Sequence, residues 1–388
     1  MDRRLRICLV INRFVVGGAE TVALDVARSL DPDRYDVTLL APLDREDGER
    51  PEMRRRCDEA GVRTAALGLR SFQSPLSLAR LTWFLRRGRY DVVHGHSRFA
   101  DLWTLRCAAW AGVPSLYWTR HLVYEDMSPK HLARYRALAP KVHRVLAVSE
   151  TVRAYCLETE GLPPAKVETL VNGIDTDRYA PAGPELRNAK RRELGLADDE
   201  RMLLFVGRMA DQKAPEAFVE IAARLHRADP RVRGFLCGAG PRLEEIRGLA
   251  AASGGAATHL GLRGDVPALL GSTDLFVSTS RVEGLPLNVM EAMAAGAAVA
   301  APGLPQIREL MDPGMQAACL YPQPPAAGPV PEEVLAAAAE RIRALLDAPE
   351  RRRELGAAGR ERIRRDFSLA AHVRRQQEIY EADRSRPA

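Results

Sequence analysis

The strongest constraint on the fold is a repeating order in the chain. A short apolar run is followed by a turn marked by glycine or proline, then by apolar residues at helical spacing. Leu5–Ile11 is the first such run, and it closes on Gly17-Gly18. Val22, Val26 and Leu30 then recur every four residues up to Asp31-Pro32, the spacing of one helix face. Tyr35–Leu40, Val92–His94, Ser115–Trp118 and Val145–Val148 read as further strands, and Leu78–Leu85 as a helix. Strands that are apolar throughout and alternate with helices are parallel strands covered on both faces.

The texture changes at Pro181-Ala182-Gly183-Pro184, a linker by composition. The alternation then restarts. Met202–Val206, Gly234–Cys237, Asp274–Val277 and Ala297–Ala301 are strand-like, and Phe218, Ile221, Ala222 and Leu225 form a helical stripe. After the irregular Pro322–Pro331 stretch, Glu332–Leu346 and Ala370–Ala382 are helical. The chain therefore holds two doubly wound α/β halves, an arrangement that its 388 residues can supply with two cores. Ligands of such sheets bind beyond the carboxyl ends of the strands. Facing halves would put the chemistry on strand-to-helix loops bordering an interdomain cleft.

Composition excludes several classes. Hydrophobic residues make up 46% and charged residues 28%, as in a soluble globular protein and unlike a disordered or fibrous one. The longest uncharged stretch rich in small apolar residues, Ala292–Gln306, is too short and too broken by Gly and Pro to span a membrane. The apolar run at Leu5–Ile11 meets Asn12 and Arg13 too early for a secretory signal. The six cysteines, at 8, 57, 107, 156, 237 and 319, form no CxxC and suit a reducing cytoplasm. Net charge is +6, yet residues 50–144 alone carry 18 Lys and Arg against 7 Asp and Glu, a net of +11. Arg54, Arg55, Arg56, Arg86, Arg87 and Arg89 form the densest runs, and Leu81–Leu85 with Trp83 adds apolar character. Two readings stand: peripheral association with an anionic membrane or acceptor, and ordinary solvated helix faces with a buried apolar side. Nothing points to a nucleic-acid partner.

Four constellations could carry chemistry. Gly17-Gly18-Ala19-Glu20 opens a helix after the first strand, where close backbone approach and free N–H groups suit an anion; a plain tight turn would use the same residues. Arg208 and Lys213 flank the loop after Met202–Val206, next to Pro215 at a helix start, and two cations there could hold a diphosphate. Glu283-Gly284-Leu285-Pro286-Leu287 leads into a helix bearing Glu291, with Pro286 at its first position. Eight residues apart, the two glutamates cannot share one proton or metal, but each can accept from hydroxyls of one long ligand. His94 and His96 project to one side of an extended strand, and His121 follows the Ser115–Trp118 run on a loop. No metal site is expected. Asp31-Pro32-Asp33 reads as a turn and Asp175-Thr176-Asp177 as a strand end.

These residues resemble family 4 glycosyltransferases, retaining enzymes of the GT-B fold that use nucleotide sugars. The resemblance rests on FVGRMADQK (205–213), FLCGAGP (235–241), STSRVEGLPLNVMEAMAAG (278–296) and VNGID (171–175). In the first half it rests on GGAE, DVVHGH (91–96), His121 and AVSE (147–150), and it covers nearly the whole chain. It implies an acceptor-side domain at 1–183 and a donor-binding domain at 184–367, with a C-terminal helix of about 368–388 packing back on the first domain. It implies that Arg208 and Lys213 hold the donor diphosphate and Glu291 the ribose. Glu283 with Gly284, Leu285, Pro286 and Leu287 would face the donor, Gly17 and Gly18 would approach its phosphates or the acceptor, and His121 would sit near the reacting sugar. His121, Glu283, Arg208 and Lys213 would carry catalysis with no cofactor and no metal, in a cytoplasmic enzyme. The donor would be UDP-linked, UDP being the family's commonest carrier, with GDP and ADP as the alternatives, and the acceptor a glycan, a lipid-linked or a small-molecule hydroxyl. Two departures stand out: Ala214 replaces the usual Gly after the lysine, and Gly303–Glu309 lacks the usual paired glycines. A nucleotide-sugar epimerase of the same architecture and a non-catalytic nucleotide-sugar binder are the rival readings.

Overall fold

The computed structural model describes residues 3–45, 52–72, 74–97, 100–124 and 127–384. Parts of the basic block at 50–144, among them Arg50 and Arg98, and the last four residues of the chain lie outside the described residues.

Two compact units emerge, Met1–Gly173 with Leu369–Ala388, and Ile174–Ser368. In the first, seven strands form one sheet: β1 (Leu5–Val10), β2 (Tyr35–Ala41), β3 (Arg63–Ala66), β4 (Val92–Gly95), β5 (Ser115–Arg120), β6 (Arg144–Ala147) and β7 (Val167–Thr169). Their order is β3-β2-β1-β4-β5-β6-β7, with every pairing parallel. In the second, β8 (Arg201–Val206), β9 (Val232–Cys237), β10 (Ala257–His259), β11 (Leu275–Val277), β12 (Val299–Pro302) and β13 (Leu320–Tyr321) lie in the order β10-β9-β8-β11-β12-β13, again all parallel. Both units are thus doubly wound α/β sheets.

Burial explains why the central strands read so clearly. β4 and β5 are buried at every residue, because helices cover both faces of the sheet. The helix Pro215–Ala228 shows the complementary pattern. It starts on Pro215 and buries Phe218, Ile221, Ala222 and Leu225, a single stripe laid on the sheet.

Each sheet reverses its winding once, between β1 and β4 in the first unit and between β8 and β11 in the second. A crevice opens at the carboxyl ends of strands at such a switch point. The Gly17-Gly18 turn follows β1, His96 follows β4, the Arg208–Lys213 loop follows β8, and the Glu283 loop follows β11.

Two expectations are corrected and a third is resolved. Pro181–Pro184 is no linker: it lies inside the second unit, where Pro181 packs at Gly296 and the Ala182 backbone at Gly271. Arg54 is not a surface cation but is buried, its guanidinium 5.5 Å from the Phe14 ring centroid and donating to the Arg45 carbonyl at 3.2 Å. Leu81–Leu85 splits by face, with Leu81 and Leu85 in the core and Trp83 outside.

The helix Leu369–Arg384 belongs to the first unit, held there by polar contacts. The Tyr380 hydroxyl lies 2.6 Å from His94 Nδ1, Asp383 accepts from Tyr117 and Arg144, and Glu381 accepts from Tyr35.

Candidate active site

In the second unit the loop after β8 and the loop after β11 are tied together before any ligand is considered. Arg281 N donates to Gln212 O at 2.8 Å, and Gln212 Nε2 returns a bond to Val282 O at 2.9 Å. Thr279 Oγ1 lies 2.9 Å from the carbonyls of both Lys213 and Ala214. The buried Arg281 guanidinium adds bonds to Asp211 O, Pro325 O and the Glu216 carboxylate. These bonds fix where the two loops place their charged side chains.

The result is a close ion pair: Lys213 Nζ is 2.5 Å from Glu283 Oε1, with both side chains largely removed from solvent. An ammonium has three donors, so Lys213 can hold Glu283 and still offer hydrogen bonds to an anion. Arg208 lies on the same loop, is exposed, and makes no ion pair among the described residues. Gly284, Leu285 and Pro286 are buried and Leu287 is half-buried. Pro286 caps the helix Leu287–Ala294 from outside, with ψ at 107°, rather than occupying its first turn as expected. Asn288 Nδ2 bonds Val206 O at 2.8 Å and pins that helix to the end of β8.

Glu291 lies in this helix, and the Tyr179 hydroxyl donates to its Oε1 at 2.9 Å. Tyr179 was not singled out by sequence. It sits in an irregular segment, and no spacing ties it to a glutamate 112 positions away.

The glycines of Gly238-Ala239-Gly240 have a structural purpose. A Cβ on Gly238 (φ +141°) would fall 1.9 Å from Gly207 O, and one on Gly240 2.4 Å from Met209 O. The loop after β9 is therefore pressed against the Arg208 loop, and Met209 N bonds Ala239 O at 3.0 Å. Gly238→Ala is expected to combine backbone strain with this clash, costing about 2–3 kcal/mol and lowering donor affinity by displacing Arg208. Gly254→Ala (φ +65°, open space around the added Cβ) is expected to cost about 1 kcal/mol and leave kinetics intact. Thermal melts and steady-state kinetics on both variants check this contrast. Ala214, where the family usually has Gly, adopts the left-handed conformation a glycine would take (φ 44°, ψ 54°) and is buried.

In the first unit Gly17 is the N-cap of the helix Gly18–Ser29, in ordinary extended geometry and with no side-chain cap. His121 follows β5. Its Nε2 lies 3.2 Å from Nδ1 of His96, a buried histidine whose own Nε2 has no partner among the described residues. The His121 pKa is pushed down to about 3, first by burial and then by the charges of His372 and Arg120. Burial likewise lowers His94 and His96, so all three rings are neutral at pH 7. His94 is structural: Thr119 Oγ1 and the Tyr380 hydroxyl occupy its two nitrogens.

Asp31 and Asp175 both sit in turns, each carboxylate accepting from a backbone N–H two residues on; Asp175 does not end a strand, which corrects the expectation for it. Among the described residues no three His, Cys, Asp or Glu side chains come together as a metal-holding group.

Comparison with known proteins agrees with this architecture. A model described as Glycosyltransferase Family 4 matches residues 16–178, and one described as Glycosyl transferases group 1 matches 187–362. The chain is 26% identical to an Escherichia coli UDP-Gal:alpha-D-GlcNAc-diphosphoundecaprenol alpha-1,3-galactosyltransferase, over 76% of this chain and 78% of the relative. It is 29% identical to the alpha-maltose-1-phosphate synthase of Mycolicibacterium smegmatis, over 74% and 78%. Among solved structures, Anabaena HepE in complex with UDP and glucose superposes with a TM-score of 0.83 at 19% identity, covering 98% of this chain and all of HepE. A glycosyltransferase from Rickettsia africae gives 0.82 at 19% identity, with both chains fully covered. With two doubly wound units, motif loops at both switch points and family models spanning nearly its whole length, the chain belongs to the family 4 glycosyltransferases of the GT-B fold.

Proposed function

We propose that this enzyme transfers a sugar, with retention of anomeric configuration and without a divalent metal, from a UDP-linked donor to a hydroxyl of a glycan, lipid-linked or small-molecule acceptor. The observation that carries the proposal is the Lys213–Glu283 pair, with Lys213 on one loop with Arg208, which has no ion pair among the described residues, and the pair on the same unit as the Tyr179-held Glu291. The relatives' UDP-linked donor and UDP complexes support the choice of nucleotide.

In this mechanism the bond from the sugar C1 to the diphosphate oxygen breaks and the electron pair stays on the diphosphate. Arg208 and Lys213 neutralise the charge that develops there, the task a metal ion performs in other transferases. The acceptor oxygen bonds C1 from the face the diphosphate is leaving, and its proton passes to the departing phosphate oxygen. Glu291 accepts from the ribose hydroxyls. Glu283, fixed by Lys213, faces the sugar as positive charge grows on it. His121, neutral, offers the sugar a hydrogen bond rather than a charge. Gly17 and Gly18 present backbone N–H groups to the phosphates.

The test is turnover of a panel of UDP-sugars with and without acceptor, in buffer containing EDTA. Donor consumption is expected to depend on acceptor, to yield an α-linked product from an α-linked donor by NMR, and to be unaffected by EDTA. Conversion of the donor sugar without acceptor would instead identify an epimerase. An inverted product would overturn retention, and loss of activity restored by magnesium or manganese would overturn the role given to the two cations.

A further inference from the structure

Three of the four tryptophans of this chain lie on two helices of the first unit that pack against each other, Pro75–Gly88 and Ala100–Trp110. Trp83 is 61% exposed, Trp110 is 52% exposed and Trp103 is half-buried. On the first helix Leu76 (83% exposed), Arg80, Trp83 and Arg87 follow one another at intervals of four, three and four, an outward stripe opposite the buried Ser77, Leu81 and Leu85. Arginines bracket the rings: Arg87 lies 5.4 Å from the Trp83 ring centroid, and Arg106 lies 5.6 Å from the centroids of both Trp103 and Trp110. Arg134, from the neighbouring helix Pro129–Leu138, lies 5.9 Å from that of Trp103.

The described arginines of this face have no ion-paired carboxylate, and Asp101 is the one acid in the sequence of its three helices. Neither Pro75–Gly88 nor Pro129–Leu138 contains an Asp or Glu, and Arg80, Arg86 and Arg87 make no ion pair among the described residues. Elsewhere on the surface, arginines such as Arg224, Arg242 and Arg263 are held by carboxylates. Among the described residues this face holds no such pair.

We infer that this tryptophan–arginine face docks on an anionic phospholipid surface. Indole rings favour the boundary between headgroups and acyl chains, and arginines beside them reach lipid phosphates while their stems cover apolar area. Each basic residue near such a surface strengthens the attachment electrostatically. A second copy of the chain fits the face poorly, because pairing through it would oppose like charges. The inference extends the proposed transferase reading by placing the enzyme where a lipid-linked acceptor resides, but its evidence is the surface itself.

The test is flotation of the full chain with vesicles of phosphatidylcholine alone or with about 30% phosphatidylglycerol, at low and physiological salt. Association is expected with the anionic vesicles only, weakening as salt rises, with a blue shift of tryptophan emission. W83A/W110A is expected to weaken vesicle affinity roughly tenfold or more, and R80E/R86E/R87E to abolish it, while UDP binding in solution is unchanged in both. Failure of the wild type to float with anionic vesicles would overturn the inference, as would W83A/W110A binding them like wild type. Dimerisation in light scattering that W83A/W110A abolishes would overturn it in favour of a contact between copies. UDP binding and turnover of a soluble acceptor read the transferase proposal separately, so either can fail alone.

Discussion

Replacing Glu283 by Gln is expected to lower kcat roughly 100-fold while leaving the affinity for free nucleoside diphosphate unchanged or slightly increased. Glu291→Gln is expected to do the reverse, raising donor KM with a smaller effect on kcat. The roles differ because the partners differ. Glu291 accepts from the Tyr179 hydroxyl, and in the proposed mechanism it binds ribose hydroxyls that are the same in substrate and transition state. Its loss therefore removes uniform binding. Glu283 is held by Lys213 at 2.5 Å, and in the proposed mechanism it faces the sugar, where charge appears only as the leaving group departs. Free nucleoside diphosphate lacks the sugar, and removing the carboxylate leaves the Lys213 ammonium less neutralised and a stronger anion ligand. Calorimetric titration of the nucleotide, run beside steady-state kinetics, separates the two. Equal weakening of nucleotide binding by both substitutions would remove the basis for assigning them separate roles.

The cations should also part company. Arg208→Ala and Lys213→Ala are each expected to reduce kcat/KM by about 10²–10³-fold, with the double variant losing less than the product because both act on one leaving-group charge. Their stabilities should differ. Arg208 is exposed and unpaired among the described residues, so its removal leaves the melting temperature unchanged. Lys213→Ala leaves the buried Glu283 carboxylate without its cation, which costs about 3 kcal/mol or more. Adding Glu283→Gln to Lys213→Ala should restore most of that stability and none of the activity. Melts and kinetics on the four variants check this; a Lys213→Ala protein as stable as wild type would show that the pair is not coupled in solution.

The parts of this fold legible in sequence are those where burial writes a pattern. β1, β4, β5, β8 and β9 are central or nearly so and read as apolar runs, and Glu332–Leu346 reads as the helix it is. The edge strands β3, β7, β10 and β13 left no signal: each has two to four residues, and β3 reads Arg-Thr-Ala-Ala. Helices with a weak apolar stripe, such as the arginine-rich Pro349–Asp366, were equally silent. In the site, Arg208, Lys213, Glu283 and Glu291 stand out because their loops follow recognisable strands at a switch point. Tyr179 and the Arg281 brace do not, because their significance is a contact across tens of residues that no local spacing encodes. The corrected linker makes the same point: Pro181–Pro184 has a linker's composition, yet Gly271 and Gly296 leave room for it to pack in the second unit.

The return of Leu369–Arg384 to the first unit has a consequence for how the protein is made. His94 of β4 is completed by Tyr380, 286 residues further on. A ribosome adding roughly 5–20 residues per second needs about 15–60 s to cover that interval. For that time the amino-terminal sheet waits on the growing chain with His94 and Tyr117 lacking their final partners. The second unit, Ile174–Ser368, is contiguous and emerges whole before the last helix does. The half synthesised first is therefore expected to be the half finished last, and premature termination near residue 368 should strand a complete second unit beside an open first one.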